Sequence, residues 1–288
     1  MSFSCPIVIL FVNKPKLTTR CIQSVVDAGY PLDRIRLIDN GSNEYSRGLV
    51  LRKYPNIKDY RLDENKGYSG GFNFGLRSVF AEGFDSAFFL TNDTELTDGA
   101  VETCGESAKS LEAGILTPGI YLRNHTDELD SFGGFFDKDT ASLGHHKTLD
   151  RPSLLGELEY VPGTALWISR DAFENIGGTD VSYHTYWEDV DLSFRARAAG
   201  IRLGRCGDAK VLHGVGETCH KKPLYTAFYF QRNRIRFIKK HFDEEYWRIA
   251  KDKIEAELRE LEMRWEESGD EKRLGYLHLI RTEELNEN

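Results

Sequence analysis

The stretch IVILFVNKPKLTTRCIQSVVDAGYPLDRIRLIDNGS, residues 7–42, decides the fold. It opens on an apolar run at 7–12, passes through a helix-compatible segment at 16–28 and returns to a second apolar run at 35–38. In the middle segment Leu17, Cys21, Val25 and Ala28 recur at steps of four, four and three, which makes one apolar helical face, and Gly29 follows as a stop. The short apolar runs read as buried strands. Further runs at 57–62, 87–90 and 115–116 repeat the pattern, and strand, helix, strand in repetition implies right-handed crossovers and a mainly parallel sheet covered on both faces.

In such sheets ligands sit beyond the carboxyl ends of the strands. The second run is followed by Asp39, Asn40, Gly41 and Ser42, the third by Asp63, Glu64, Asn65, Lys66 and Gly67, and the fourth by Thr91, Asn92, Asp93 and Thr94. Acidic or amide side chains therefore close three successive strands. After about residue 120 the pattern is less regular, and a smaller mixed or antiparallel part is expected. From Phe228 onward the chain reads as helix. There Trp247, Ala250, Ile254, Leu258, Leu261 and Trp265 recur every three or four residues, a stripe that either covers the domain or forms a homodimer contact.

The composition bounds the class. With 288 residues, at roughly 150 per domain, the chain is one large α/β unit or two closely joined ones. A content of 40% hydrophobic and 29% charged residues suits a globular protein and excludes disordered, collagenous and repeat classes. The formal net charge of -8 argues against nucleic acid as partner. The run at 7–12 lacks the flanks of a secretory signal and no stretch approaches the roughly 18 apolar residues of a bilayer span, so a cytoplasmic chain is expected. Five scattered cysteines without a C-x-x-C pair suit buried thiols, and no structural disulfide is expected.

Four constellations could carry chemistry. Asn65, Gly67, Gly70, Gly71, Asn73 and Gly75 form a cluster at the start of a helix through Leu76 and Val79; it reads either as a phosphate cradle or as a tight turn needing positive φ. Its spacing is not the dinucleotide G-x-G-x-x-G. Asp93 ends a strand, where it can bind a divalent cation or cap a helix, and His213 ends the run 209–212. A carboxylate, a His and diphosphate oxygens favour Mn²⁺ or Mg²⁺, while Cys206, Cys219 and His220 keep a zinc reading open. In 183–191 an aromatic run precedes Glu188, Asp189 and Asp191 at the start of a helix; the aromatic faces suit stacking on sugar rings and one carboxylate suits a general base. Residues 189 and 191 point about 200° apart on a helix, so they cannot share a role. Finally Arg232, Arg236 and Lys240 form one basic helical face, either solvated or in contact with phosphate on the ligand or on a lipid-linked acceptor at a membrane surface.

Taken in order, segments 8–13, 38–42, 64–75, 90–95, 161–167 and 187–192, with His213 and Arg232-Asn233, resemble the family 2 inverting glycosyltransferases of the GT-A fold. The likeness is greatest to the rhamnosyltransferase-like branch that builds cell-surface polysaccharides, and it covers residues 5–240. It implies a GT-A α/β domain over 1–241, with a nucleotide-binding half at 1–120, an acceptor and catalytic half at 121–241, and a helical extension at 242–288. By resemblance Asp39 recognises the base. Phe11, Val12, Asn13, Asn65, Gly70, Asn73, Asn92, Asp93 and Arg232 hold the rest of the nucleotide. Asp93 and His213 bind Mn²⁺ or Mg²⁺, and Asp189 is the catalytic base with Glu188 beside it. The first position of the family's D-x-D motif is Thr91. The implied donor is a UDP- or dTDP-linked sugar such as dTDP-rhamnose. The implied acceptor is a glycan or a polyprenyl-diphosphate-linked glycan, with peripheral contact at the inner face of the membrane. Two rivals remain: a non-catalytic nucleotide-sugar binder, and a sugar-phosphate nucleotidyltransferase, which Asn13-Lys14-Pro15 after the first strand disfavours.

Overall fold

The first apolar run forms β1 (Ile7–Phe11), whose five residues are all buried. Pro15, which needs no N–H partner at a helix start, opens α1 (Pro15–Asp27). That helix buries Thr18, Cys21, Ile22 and Val25 on the sheet, and Leu17 and Ala28 flank the contact. The structure, a computed structural model, describes residues 5–149, 151–215 and 223–285.

β2 (Ile35–Asn40), α2 (Glu44–Lys53), β3 (Lys58–Leu62), α3 (Gly67–Ala81) and β4 (Ser86–Thr91) follow, then β5 (Thr94–Leu96), α4 (Ala100–Leu111) and β6 (Ile115–Leu122). The Asn43 side chain caps α2 by accepting from the Ser46 N–H at 2.8 Å. β1 pairs in parallel with both β2 and β4, and β2 with β3. The sequence run at 115–116 is only the start of β6, which continues through Pro118 and Gly119 because β13 and β7 pair along its edges.

The irregular middle resolves into β7 (His125–Ser131), β8 (Gly134–Asp137), β9 (Ser142–His145), β10 (Ser153–Leu154), β11 (Glu159–Tyr160) and β12 (Ala165–Ser169). β11, β8 and β9 make a separate antiparallel sheet. β12 inserts antiparallel between β4 and β6. α5 (Arg170–Ile176), α6 (Glu188–Ala198) and β13 (Leu203–His213) complete the main body, and the central sheet runs β10-β13-β6-β12-β4-β1-β2-β3. Its backbone is the parallel block β3-β2-β1-β4, as the alternating pattern predicts.

Two apolar layers clothe this sheet. One joins α1 and α4 to Ile7, Ile9, Phe88 and Leu90; the other joins α3, α5 and α6 to Val8, Ile38, Phe89 and Leu166. α7 (Pro223–His241), α8 (Glu244–Glu267) and α9 (Glu271–Ile280) build a third core around Phe136, Tyr183, Trp187, Phe237, Ala250, Ile254 and Leu258. The stripe on α8 is thus turned inward, with Trp247, Leu261 and Trp265 half-buried against the same core. Among the described residues no helix is long and apolar enough to cross a membrane.

The glycine cluster divides by role. Gly71 and Gly75 lie inside α3, where a Cβ would meet Leu10 Cδ1 at 2.5 Å and Ile38 Cγ1 at 2.8 Å, so they let the helix approach the sheet and cradle nothing. Gly41, at the end of β2, has φ +72°, and a Cβ there would lie 2.5 Å from the Asn65 backbone nitrogen. Conformation and space both require glycine at this position. Gly41→Ala is expected to lower unfolding free energy by about 1–3 kcal/mol, measured by denaturant titration, as the 39–42 turn is driven off the 64–65 backbone.

Candidate active site

Parallel pairing brings the strand ends together. Asp39 lies opposite Phe11 and Thr91 opposite Leu10, which sets Asp39 and Thr91 two strands apart, roughly 10 Å, at one edge of the sheet. Asp39 is fully buried; its Oδ1 accepts from the Ser42 N–H at 2.8 Å, and its Oδ2 lies 3.5 Å from Arg47 Nε and 3.6 Å from Arg61 Nε. Asn13, at φ 52°, joins the β1 end to the same turn, donating its N–H to Ser42 Oγ and accepting the Asn43 N–H. The Phe11 ring is packed in the core, so this residue offers a ligand only its backbone; Val12 is half-buried.

The amides of the next loop are mostly spent inside the protein. Asn65 is exposed, and its Oδ1 accepts from the Gly67 N–H at 2.9 Å and from Asn40 Nδ2 at 3.1 Å, closing the start of α3. Gly70 sits half-buried in the first turn. Asn73 is buried and both ends of its amide bind Thr179, Nδ2 to the carbonyl and Oδ1 from the N–H, each at 2.8 Å. Asn92 donates to Thr18 Oγ1 at 2.9 Å. Asn73 and Asn92 therefore shape the walls of the site through internal bonds.

Asp93 follows β4 and is 6% exposed. Its Oδ1 accepts from Thr91 Oγ1 at 2.7 Å, so the threonine in the first motif position orients the aspartate. His213, at the end of β13, brings Nε2 to 3.7 Å from the same oxygen. Its Nδ1 lies 3.8 Å from Asp130 Oδ2 on β7 and has no hydrogen-bond partner among the described residues. Burial works against an imidazolium here, but Asp130 and Asp93 outweigh it and raise His213 to about 9. Asp130, itself held by Lys147 at 3.0 Å, adjoins this pair without any signal in the sequence pattern, because it lies in a hairpin whose strand is largely exposed.

Two donors each about 2.1 Å from one cation lie no more than about 4.2 Å apart, and the Asp93–His213 separation falls inside that limit. Among the described residues no group of three or more His, Cys, Asp or Glu side chains is arranged to hold a metal. An oxygen-and-nitrogen pair completed by ligand oxygens fits Mn²⁺ or Mg²⁺ better than a closed zinc site. The zinc reading loses Cys206, which pairs with Pro118 on β6 while His213 pairs with Leu122, roughly 13 Å apart along the strand, and its thiol lies 3.1 Å from Ser107 Oγ. Cys219 and His220 lie outside the described residues.

Asp189 reaches the same edge through β12. The Gly163 N–H donates to Asp189 Oδ2 at 2.9 Å, Tyr68 donates its hydroxyl to the Gly163 carbonyl at 2.6 Å, and the next carbonyl, Thr164, accepts from the Thr91 N–H at 3.0 Å. A chain of short contacts thus runs from Asp93 through Thr91, Thr164 and Gly163 to Asp189. Burial pushes the Asp189 carboxyl above its ordinary range, against the opposing N–H groups of Gly163 and Val190. Glu188 is 5% exposed, its Oε2 has no hydrogen-bond partner among the described residues, and burial with the neighbouring Asp189 raises it as well. Asp191 faces the other way. It is fully buried between Arg195 Nε, Lys240 Nζ and His241 Nε2 at 2.7–2.8 Å, and although burial opposes ionisation these partners hold it down to about 2.

Two expectations are corrected. Tyr183 and Trp187 are each 1% exposed in the third core, because α7 packs over them, and cannot stack on a sugar. The basic face of α7 is half-exposed and engaged with internal partners: Arg232 binds the carbonyls of Ser182 and Tyr183, Arg236 binds Glu284, and Lys240 binds Asp180 and Asp191.

Comparison with known proteins agrees with this architecture. An uncharacterized protein of Mycobacterium tuberculosis is 32% identical over 57% of this chain and 66% of its own length. The low-salt glycan biosynthesis hexosyltransferase Agl10 of Haloferax volcanii is 27% identical over 62% and 57%. The N-acetylglucosaminyl-diphospho-decaprenol L-rhamnosyltransferase of M. tuberculosis is 24% identical over 67% and 68%. The chain thus spans just under two thirds of the length of the first of these relatives. Among solved structures, GalNAc-T7 with UDP, GalNAc and Mn²⁺ superposes at TM-score 0.61 and 18% identity over 84% of this chain and 48% of that one, which shows a shared GT-A fold. Residues 7–177 match Glycosyl transferase family 2. The chain, with its mainly parallel central sheet and its carboxylates gathered at one edge, belongs to that family.

Proposed function

We propose that this protein is an inverting glycosyltransferase that moves a sugar from a nucleoside diphosphate to a hydroxyl of a glycan or a polyprenyl-diphosphate-linked glycan. The observation that carries the reading is the contact chain Asp93–Thr91–Thr164–Gly163–Asp189, which puts a cation-binding carboxylate and a raised carboxyl at one sheet edge. Asp39, buried at the end of β2, is the group for the base. The turn of Asn13 and Ser42 and the first turn of α3 line the path to Asp93.

Asp189 takes the proton of the acceptor hydroxyl as that oxygen attacks the anomeric carbon. The C–O bond to the diphosphate breaks on the opposite side, and one displacement inverts the centre. Gly163 N–H holds Asp189 Oδ2, and Tyr68 fixes the Gly163 peptide, so the base is oriented before substrate arrives. The burial that raises Asp189 also strengthens it as a base. Glu188, buried beside it, is raised by burial and by the neighbouring Asp189. A Mn²⁺ or Mg²⁺ ion held by Asp93 and His213, with the His213 Nε2 proton given up on binding, would carry charge on the departing diphosphate. Similarity to the hexosyltransferase of glycan biosynthesis and to the diphospho-decaprenol rhamnosyltransferase supports a glycan or lipid-linked acceptor, and the donor in this reading is a UDP- or dTDP-sugar. Such an acceptor would bring the protein to the inner face of a membrane.

Three outcomes follow. Asp189→Asn is expected to lower turnover by about 10²–10⁴-fold in a nucleotide-release assay over UDP-, dTDP- and GDP-sugars, with nucleotide affinity nearly unchanged. Asp93→Ala should weaken nucleotide binding in calorimetry much more with Mn²⁺ than in EDTA; equal losses would remove the cation from this position. Because the base works ionised and its pKa is raised, kcat/KM should fall as pH drops through an apparent value above the ~3.9 of a free aspartate, and an acid limb at or below that value would count against Asp189.

A further inference from the structure

The segment that delivers Asp189 to the site is held in backbone conformations that its residues disfavour. His184, Tyr186 and Trp187 have φ of 62°, 64° and 71°. His184, with ψ -57°, is the centre of a γ-turn of the rarer positive-φ form, closed by the Thr185 N–H on the Tyr183 carbonyl at 2.7 Å. Trp187 then starts α6 without a side-chain cap, and Glu188 and Asp189 follow at once. None of these residues is glycine, so the conformation has to be imposed by what surrounds it.

One side chain meets most of this backbone. Asn233 on α7 is fully buried, and its Nδ2 lies 2.8, 2.7 and 2.7 Å from the carbonyl oxygens of Tyr183, Thr185 and Tyr186. Its Oδ1 accepts from Arg232 Nε at 3.0 Å and Nη2 at 2.8 Å. Arg232 Nη2 also reaches the carbonyls of Ser182 and Tyr183 at 2.9 and 3.1 Å. The guanidinium thus decides which end of the amide carries the donors, and the amide gathers three carbonyls that would otherwise repel one another in a buried site. A carboxylate at 233 would face those carbonyls with no donor.

From this geometry we infer that Asn233, locked by Arg232, is a positioning residue for transfer: it holds the strained 183–187 backbone so that α6 begins where Asp189 meets Gly163. The inference rests on the reading of Asp189 as the base, and it gives the Arg232-Asn233 pair a role in place of nucleotide contact. It acts through the backbone, since Asn233 touches no reacting atom.

The test compares the full-length protein with Asn233→Ala, the isosteric Asn233→Asp, the double variant Asn233→Ala/His184→Gly, and Asp189→Asn. Hydrogen–deuterium exchange should show faster exchange confined to 183–191 in both single variants at 233. With an active donor, their kcat should fall by about 10- to 100-fold, the scale of a misplaced catalytic group, while donor KM changes by less than about twofold. Glycine accepts positive φ freely, so His184→Gly in the Asn233→Ala background should recover part of the lost kcat. Should Asn233→Ala fail to fold, Asn233→Asp is read in its place. Exchange at 183–191 unchanged in a folded variant, a loss of protection spread evenly over the protein, or no recovery by His184→Gly overturns the inference. If Asp189→Asn remains fully active, the proposed function fails instead, and the exchange data still decide the role of Asn233.

Discussion

The antiparallel register of β12 against β4 is the constraint on which the site depends. Ala165 lies opposite Leu90 and Trp167 opposite Phe88, and this pairing sets the Thr164 carbonyl on the Thr91 N–H and leaves the Gly163 N–H free for Asp189. The two halves of the chain meet at that seam. β4 brings the Asp93 loop, and β12 brings the peptide that α6 docks on. A slip of one residue would turn Leu166 and Ile168 off the α3 face and separate the two carboxylates together.

Around that seam the protein keeps five carboxyl groups in distinct electrostatic states. Asp39 is buried between two arginines, Asp93 beside a histidine and a threonine hydroxyl, and Asp191 between Arg195 and Lys240 with His241 as a further partner. Burial drives Glu188 and Asp189 upward. Separation of titrating groups by environment lets two carboxyl groups two residues apart differ in their proton affinity. The helical period does the rest, since positions 189 and 191 project to opposite sides, one to the sheet edge and one to α7.

The C-terminal helices belong to the site's support. α7 covers Trp187 and Tyr183, presents Asn233 to the backbone before α6, and sends Lys240 and His241 to Asp191. Positive-φ residues outside glycine cost on the order of 1–3 kcal/mol each, and neutral hydrogen bonds contribute about 1 kcal/mol each, so the amide contacts and the aromatic packing of Trp187 on Phe237 are of the size needed to hold the segment. α8 in turn fixes α7, through Arg234 on Glu257 and the Ala250, Ile254 and Leu258 stripe.

By itself the sequence determined the parallel block, the polar residues at its strand ends, the helical tail and the opposed faces of 189 and 191. Each of these follows from local periodicity, which depends on neighbours within a few residues. Only the tertiary structure decided which polar groups face the cleft. Asn73 and Asn92 turned out to be structural, Arg232 was drawn to carbonyls fifty residues away, Tyr183 and Trp187 were sealed in a core, and Asp130 arrived beside His213 from a hairpin without apolar periodicity. The physical reason is that a hydrogen bond or an ion pair forms wherever the fold brings donor and acceptor within about 3–4 Å. That proximity is set by long-range packing, which leaves no trace in the spacing of residues along the chain.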